Sequence, residues 1–263
     1  MKTQGGKNMN KKKIGLTIMG CALAVGIVGC SQTKDANVTE KKEITFATAP
    51  DTQPFTYKKD GKLTGFDVEL VNALAKGADL KVKWQESKFN GIIPALQSKS
   101  IDGGVSAITI RDDRKQVTDF TDTYYESGLV LVTKKGSTIT KPEDLKGKII
   151  VAKQGSAGLT KAKELGEKYG AKVNILEDEA TLYLNVQKGG ADALINDLPF
   201  VQTKLKAKEF SDLQIAGDKL SVDEYGIAIA KDEKELLKAF NKELKEMKEN
   251  GEYDKLYQKY FGE

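Results

Sequence analysis

Ser106-Ala107-Ile108-Thr109-Ile110-Arg111-Asp112-Asp113-Arg114 reads as a β-branched strand that ends in a short, charged turn of helix, and the rest of the chain can be organised around it. Of 42 basic residues only Arg111 and Arg114 are arginine. A chain that uses lysine for every other positive charge has reason to use arginine where a planar, five-donor fork is wanted. The usual partner of such a fork is a carboxylate, and the N–H groups that open a helical turn favour the same negative charge. The stretch therefore predicts a pocket for a small carboxylate ligand, with Arg114 as its fork. Arg111 is read as a surface ion pair with Asp112, Asp113 or Asp119.

At 263 residues, 30% charged and 39% apolar, the composition is that of a globular chain long enough for two domains. The formal charge is +4, but residues 1–29 hold five lysines and no acid, and without them it is −1. No basic excess is left over to bind nucleic acid. The chain has no histidine, which excludes a Ser-His-Asp triad, a histidine metal site and a histidine proton shuttle. Cys21 and Cys30 both fall in the first thirty residues, so the folded body has neither a disulfide framework nor a zinc cluster. No cofactor and no metal are expected.

Residues 1–29 read as an export signal. Lysines at 11–13 precede an apolar run over 14–28, about 15 residues against the ~20 that span a bilayer. Met9 stands just ahead of the lysines and offers a second start site. Ile27-Val28-Gly29-Cys30 resembles a bacterial lipobox, with cleavage before Cys30 and lipid on its thiol. Two acyl chains there suffice for stable anchoring. Residues 30–42 form a polar tether.

From residue 43 strands and helices alternate. Strands are expected at 44–48, 55–57, 80–84 and 102–110, the last feeding the opening stretch, with a hairpin turn at Asp60-Gly61. Asp67 is expected to cap a helix carrying Leu70, Val71 and Leu74, and Pro94 to lie in the first turn of the helix after Phe89. Residues 124–132 form a long strand broken at Gly128. A second unit of strands at 148–152, 173–176 and 191–195 follows, each trailed by a helix, then a strand at 225–230 and two closing helices. This order predicts an α/β architecture with largely parallel sheets, in two lobes. Ligands of such sheets sit beyond the carboxyl ends of the strands. Thr52, Phe89, Ser106, Ala107, Thr109, the turn around Ala157, Asn196 and Asp197 are thereby brought toward one cleft.

Gly65-Phe66-Asp67-Val68-Glu69-Leu70, Phe89-Asn90-Gly91-Ile92-Ile93-Pro94-Ala95-Leu96-Gln97, Ala107-Ile108-Thr109-Ile110 with Arg114-Lys115, Asp119-Phe120-Thr121-Asp122, Asp144-Leu145-Lys146-Gly147-Lys148 and Asn250-Gly251-Glu252-Tyr253 occur in that order. Together they resemble the polar amino-acid solute-binding proteins of ABC importers, family 3, close to the glutamine-binding branch. The resemblance implies a periplasmic-binding-protein type II fold, with lobe 1 over 43–124 and 225–263 and lobe 2 over 129–220. Hinge strands would lie at 125–132 and 221–228. It also implies that Arg114 takes the ligand α-carboxylate, with the N–H of Thr109 and one near Ala157. Asp197 would take the α-ammonium with the Ala107 carbonyl and the Thr109 hydroxyl, and Phe89 would pack on the carbon chain.

At the side-chain end Lys153 matches the family, while Ala49, Thr52 and Asn196 replace an aspartate, a phenylalanine and a histidine of the glutamine binders. Lys153 is then expected to lack its acidic neighbour and to disfavour bulky cations. Glutamine is the first ligand implied and glutamate the next. The partners implied are a permease and the membrane under a lipid-anchored monomer on the extracytoplasmic side. The rival reading is a dehydratase-type lyase on the same scaffold, which needs a buried acid or base in the cleft.

Overall fold

The computed structural model describes residues 42–262; the export signal, Cys30 and nearly all of the tether lie outside the described residues. Two five-stranded sheets carry the architecture. In the first, the order is Lys81–Glu86, Glu43–Thr48, Gly103–Gly104, Ala228–Ile229, Asp119–Phe120. In the second it is Lys172–Leu176, Ile149–Lys153, Ala193–Asp197, Leu129–Lys134, Leu213–Ala216. Both sheets are largely parallel, as expected, with one reversed strand each: Ala228–Ile229 in the first and Leu129–Lys134 in the second run antiparallel to both neighbours. Each sheet is faced by helices whose apolar side chains follow the helical period. Phe46 of the first sheet stacks on Phe240 of the helix Lys234–Glu249 at 5.6 Å. The second has a separate core on each face, around Ala162 and Leu165 on one side and Tyr183 and Val201 on the other.

A two-stranded antiparallel ribbon, Tyr125–Ser127 against Asp223–Tyr225, connects the two halves. Gly128 ends the ribbon, as the sequence suggests. A Cβ at that position would meet the Ser221 carbonyl at 2.3 Å, so any side chain would push the two segments apart.

The opening stretch differs from its sequence reading. Of residues 102–110 Gly103–Gly104 form a strand of the first sheet and Thr109 bridges to Tyr225 of the ribbon, while between them Ala107 sits in the left-handed region at φ 48°. The reason lies forty residues away. The helix Phe66–Gly77 starts at Gly65 and not at Asp67, leaving Asp67 buried inside the first turn, where its Oδ2 accepts the Ala107 N–H at 2.7 Å. A tertiary hydrogen bond thus bends the chain out of the sheet just where its backbone faces the cleft. Pro94 is also displaced from the expected position. It is the sixth residue of the helix Phe89–Gln97, in the second turn. The expected strand at 225–230 is split, with Asp223–Tyr225 in the ribbon and Ala228–Ile229 in the first sheet.

Candidate functional site

The carboxyl ends of the strands in both halves face a common, tightly closed pocket. Thr52, Phe89, Ser106, Ala107 and Thr109 line it from the first half, and Lys153, Ala157, Asn196 and Asp197 from the second. Arg114 stands just behind the wall. It is buried, with its guanidinium carbon 5.6 Å from the Phe89 ring centre. Two roomier grooves of about 490 and 560 Å³ lie elsewhere, and none of these ten residues lines them.

Arg114 is held from both sides. Its Nη1 donates to the Thr109 carbonyl at 2.6 Å and its Nη2 to the Gly155 carbonyl of the other half at 2.9 Å. Gly155 has a φ of 76° and a Cβ there would come within 3.1 Å of Asn90, so this turn wants glycine. Burial, with the adjoining Arg111 charge, lowers the Arg114 guanidinium to about 10, which leaves it charged at neutral pH. The turn continues into Ser156, whose hydroxyl caps the helix Ala157–Tyr169 by accepting the Leu159 N–H at 3.0 Å. That helix start favours an anion in the same place as the arginine does.

Asp197 ends the strand Ala193–Asp197 and is buried. Its Oδ1 accepts the Tyr225 hydroxyl at 2.6 Å, and that hydroxyl also meets Ser127 Oγ at 2.9 Å. Both partners belong to the ribbon. The other carboxylate oxygen has no hydrogen bond among the described residues. Burial pushes Asp197 up to about 7 against the Tyr225 hydrogen bond, which opposes it. A buried carboxylate in this condition is stabilised by a cation that approaches it.

At the opposite end Lys153 is buried, with Nζ 2.9 and 2.7 Å from the two carboxylate oxygens of Asp51 and 3.6 Å from Glu179 Oε2. This corrects the expectation that Ala49 deprives Lys153 of an acidic neighbour. Asp51, two residues further along and across the cleft, supplies the acid. The acid most easily missed is Glu179. It lines the cavity and is buried, its Oε1 accepts Asn196 Nδ2 at 2.5 Å, and the same nitrogen donates to the Tyr183 hydroxyl at 3.0 Å. Thr52 and Ser106 bond each other at 3.2 Å, and Thr56 joins them over the Ala49 carbonyl. Phe89 lies between two cations, with Lys153 Nζ also 5.6 Å from its ring, a geometry that suits the face of an aromatic ring. Phe200 and Ser156 complete the lining.

Arg111 does form the expected ion pair, with Asp113 at 2.6 Å. It does more, because its Nη1 crosses to the Ser156 carbonyl and Thr160 Oγ1, each at 3.1 Å. Lys88 and Glu177 make a further ion pair between the halves.

The bacterial extracellular solute-binding proteins, family 3, match residues 44–263. The chain belongs to that family. It is similar to the arginine-binding extracellular protein ArtP of Bacillus subtilis (strain 168), with 36% identity over 253 residues, 95% of this chain and 98% of the relative. Among solved structures it is similar to an ancestral arginine-binding protein bound to arginine, with a TM-score of 0.80 and 38% identity over 84% of this chain and 99% of the other. An ancestral arginine-binding protein bound to glutamine gives a TM-score of 0.80 and 37% identity, covering 86% and 100%. Family membership fits the observed two-lobed α/β architecture, and no described helix is long and apolar enough to cross a membrane.

Proposed function

We propose that this protein is the capture subunit of an ABC importer for a polar L-amino acid, glutamine first and glutamate next. The observation that carries the reading is one pocket between the lobes with a buried, positively charged fork just behind its wall on one lobe and a buried carboxylate lining it on the other. A zwitterion needs one of each, and only a ligand that touches both lobes favours the closed form. Arg114, the Thr109 N–H and the start of the helix Ala157–Tyr169 take the α-carboxylate. Asp197, the Ala107 carbonyl and the Thr109 hydroxyl take the α-ammonium, and Phe89 packs on the carbon chain. The ribbon and its flanks, residues 125–132 and 221–228, act as the hinge.

Relatives named for arginine leave the side chain open between a guanidinium and a carboxamide, and Lys153 supports the carboxamide. A ligand cation at that end would share its space with a buried ammonium, whereas a carboxamide oxygen can accept from it. Cys30 carries the lipid that keeps a monomeric binding protein near its permease. A thermal-shift screen of residues 31–263 against the twenty amino acids tests the reading. Glutamine at a hundred times its Kd adds about 2.7 kcal/mol, and a flat response to all twenty would refute amino-acid capture. Glu179 gives the dehydratase reading one observation, a buried acid in the cavity whose pKa is raised chiefly by burial. Ligand recovered unchanged after prolonged incubation removes that reading.

A further inference from the structure

We propose that Phe200 is a positioning residue for closure, a ring of the second lobe seated in an aromatic socket of the first, which holds the lobes together and sets the affinity for any ligand between them. This rests on the capture reading above and adds the side chain that governs its strength.

Phe200 stands in the first turn of the helix Leu198–Leu205, three residues after Asp197. Its neighbour Val201 packs in a core of the second lobe. Phe200 itself, 5% exposed, packs in the core of the first, within the cluster that holds Phe55, Phe66 and Tyr225. Among the described residues no other from 129–220 joins that cluster. Two consecutive side chains of one helix thus serve two cores.

The ring that Phe200 meets is Phe55, at 5.5 Å between centres and 86° between planes, the edge-to-face arrangement that aromatic pairs prefer. Phe55 is anchored to the first lobe. Its ring packs on Tyr125 and Tyr225 of the ribbon at 5.0 and 5.5 Å, and on Phe261 of the closing helix at 5.1 Å. Its carbonyl accepts the Asp67 N–H at 3.0 Å, and a Cβ on Gly65 would sit 2.0 Å from that oxygen, so the backbone is clamped to the start of the helix Phe66–Gly77. The knob therefore moves with the second lobe and the socket with the first. A rotation about the ribbon that parts the cleft withdraws one ring from the other and wets both. Removal from water favours the seated ring with or without a ligand. Phe200 lines the pocket beside Asp197, so the motion that brings Asp197 to a ligand also seats the ring. Apparent affinity scales with the fraction of protein in the binding-competent form.

Calorimetric titration of the full chain, purified in detergent, with L-glutamine, L-glutamate and L-arginine tests this. Phe200→Leu keeps an apolar side chain and loses the ring edge, while Phe200→Ala removes the knob. The first should weaken every ligand that wild type binds by about threefold and the second by about tenfold or more, each by the same factor for all ligands. Beside Phe55→Leu the loss from Phe200→Leu should disappear, because the socket is already gone. A residue that only supported the fold would lower Tm and leave this coupling absent. Unchanged affinity in folded Phe200→Leu overturns the proposal, since the ring then stays seated while the lobes move. So does a loss that differs between ligands, which would make Phe200 a wall of the pocket, and so does a loss that persists in full beside Phe55→Leu. The Phe200→Leu comparison stands even if Phe200→Ala or Phe55→Leu does not fold. Wild type that binds none of the three, with a flat screen, instead overturns the capture reading itself.

Discussion

The two ends of the cavity are built differently. The end proposed to take the zwitterion rests largely on main chain: the Thr109 and Gly155 carbonyls fix Arg114 and the Ala107 amide is tied to Asp67, while Asp197 is held by the Tyr225 hydroxyl. The end proposed to meet the ligand's side chain is a cluster of side chains, with Lys153 between Asp51 and Glu179, and Asn196 behind them. Main chain changes little when a residue is substituted, whereas a side-chain cluster changes with each member. On the proposed assignment the molecule separates what every amino acid shares from what distinguishes one from another. The separation can be broken by experiment.

The largest effects belong to the zwitterion end. Asp197→Ala and Arg114→Ala each leave the opposite charge of the ligand buried without a partner, and should cost about 2 to 5 kcal/mol of binding for every amino acid that binds. The comparison fails if either variant, measured by calorimetry, loses one ligand and keeps another. A second effect follows from Asp197 itself. Burial lets it hold its proton up to about pH 7, and the proton competes with the ammonium. Binding should be full above neutrality and weaken by up to about tenfold per unit as the pH falls below 7. A Kd that stays level from pH 5 to 8 would mean that Asp197 does not face the ammonium.

The two ends were also unequally legible in the sequence. Arg114 and Asp197 could be found because arginine is scarce in this chain and because Asp197 closes an apolar strand. Phe89, Ser106 and Thr109 followed from strand ends and a family pattern. Asp51 and Glu179 could not be found this way, since each acquires its role from a contact across the fold, 102 residues from Lys153 for Asp51 and 17 residues from Asn196 for Glu179. The one local sign was Asp178, a helix-capping residue that fixes where the helix, and hence Glu179, begins. The fold itself was legible from the alternation of elements. What failed was the local conformation of residues 102–110, where Asp67 overrides strand propensity.

Arg111 offers a smaller test, aimed at the closure that both ends share. Its bonds to Ser156 and Thr160 exist only while the lobes are together. Arg111→Ala should weaken every ligand by the same factor, about fivefold for one or two hydrogen bonds, and mostly through faster dissociation. Stopped-flow release measured for two ligands checks this. A loss that differs between them would place Arg111 in side-chain recognition, and no loss would return it to a surface ion pair.

The smallest effect concerns the support under the zwitterion end. Burial raises Asp67 to about 7 from 3.8, opposed by the Ala107 amide and by Tyr124. The folded form therefore binds a proton that the unfolded chain has released, and the stability this gives is full below about pH 4 and lost as the pH rises through 7. Asp67→Asn keeps an oxygen for the Ala107 N–H and cannot titrate. Its Tm should gain on that of wild type between pH 5 and 8, by about 2 to 4 °C for each kcal/mol of the lost titration. Asp197 titrates in the same window, so wild type and variant should both slope, the variant less. Parallel curves would show that Asp67 is ionised throughout, and that the left-handed turn at Ala107 rests on a buried charge and not on a buried proton.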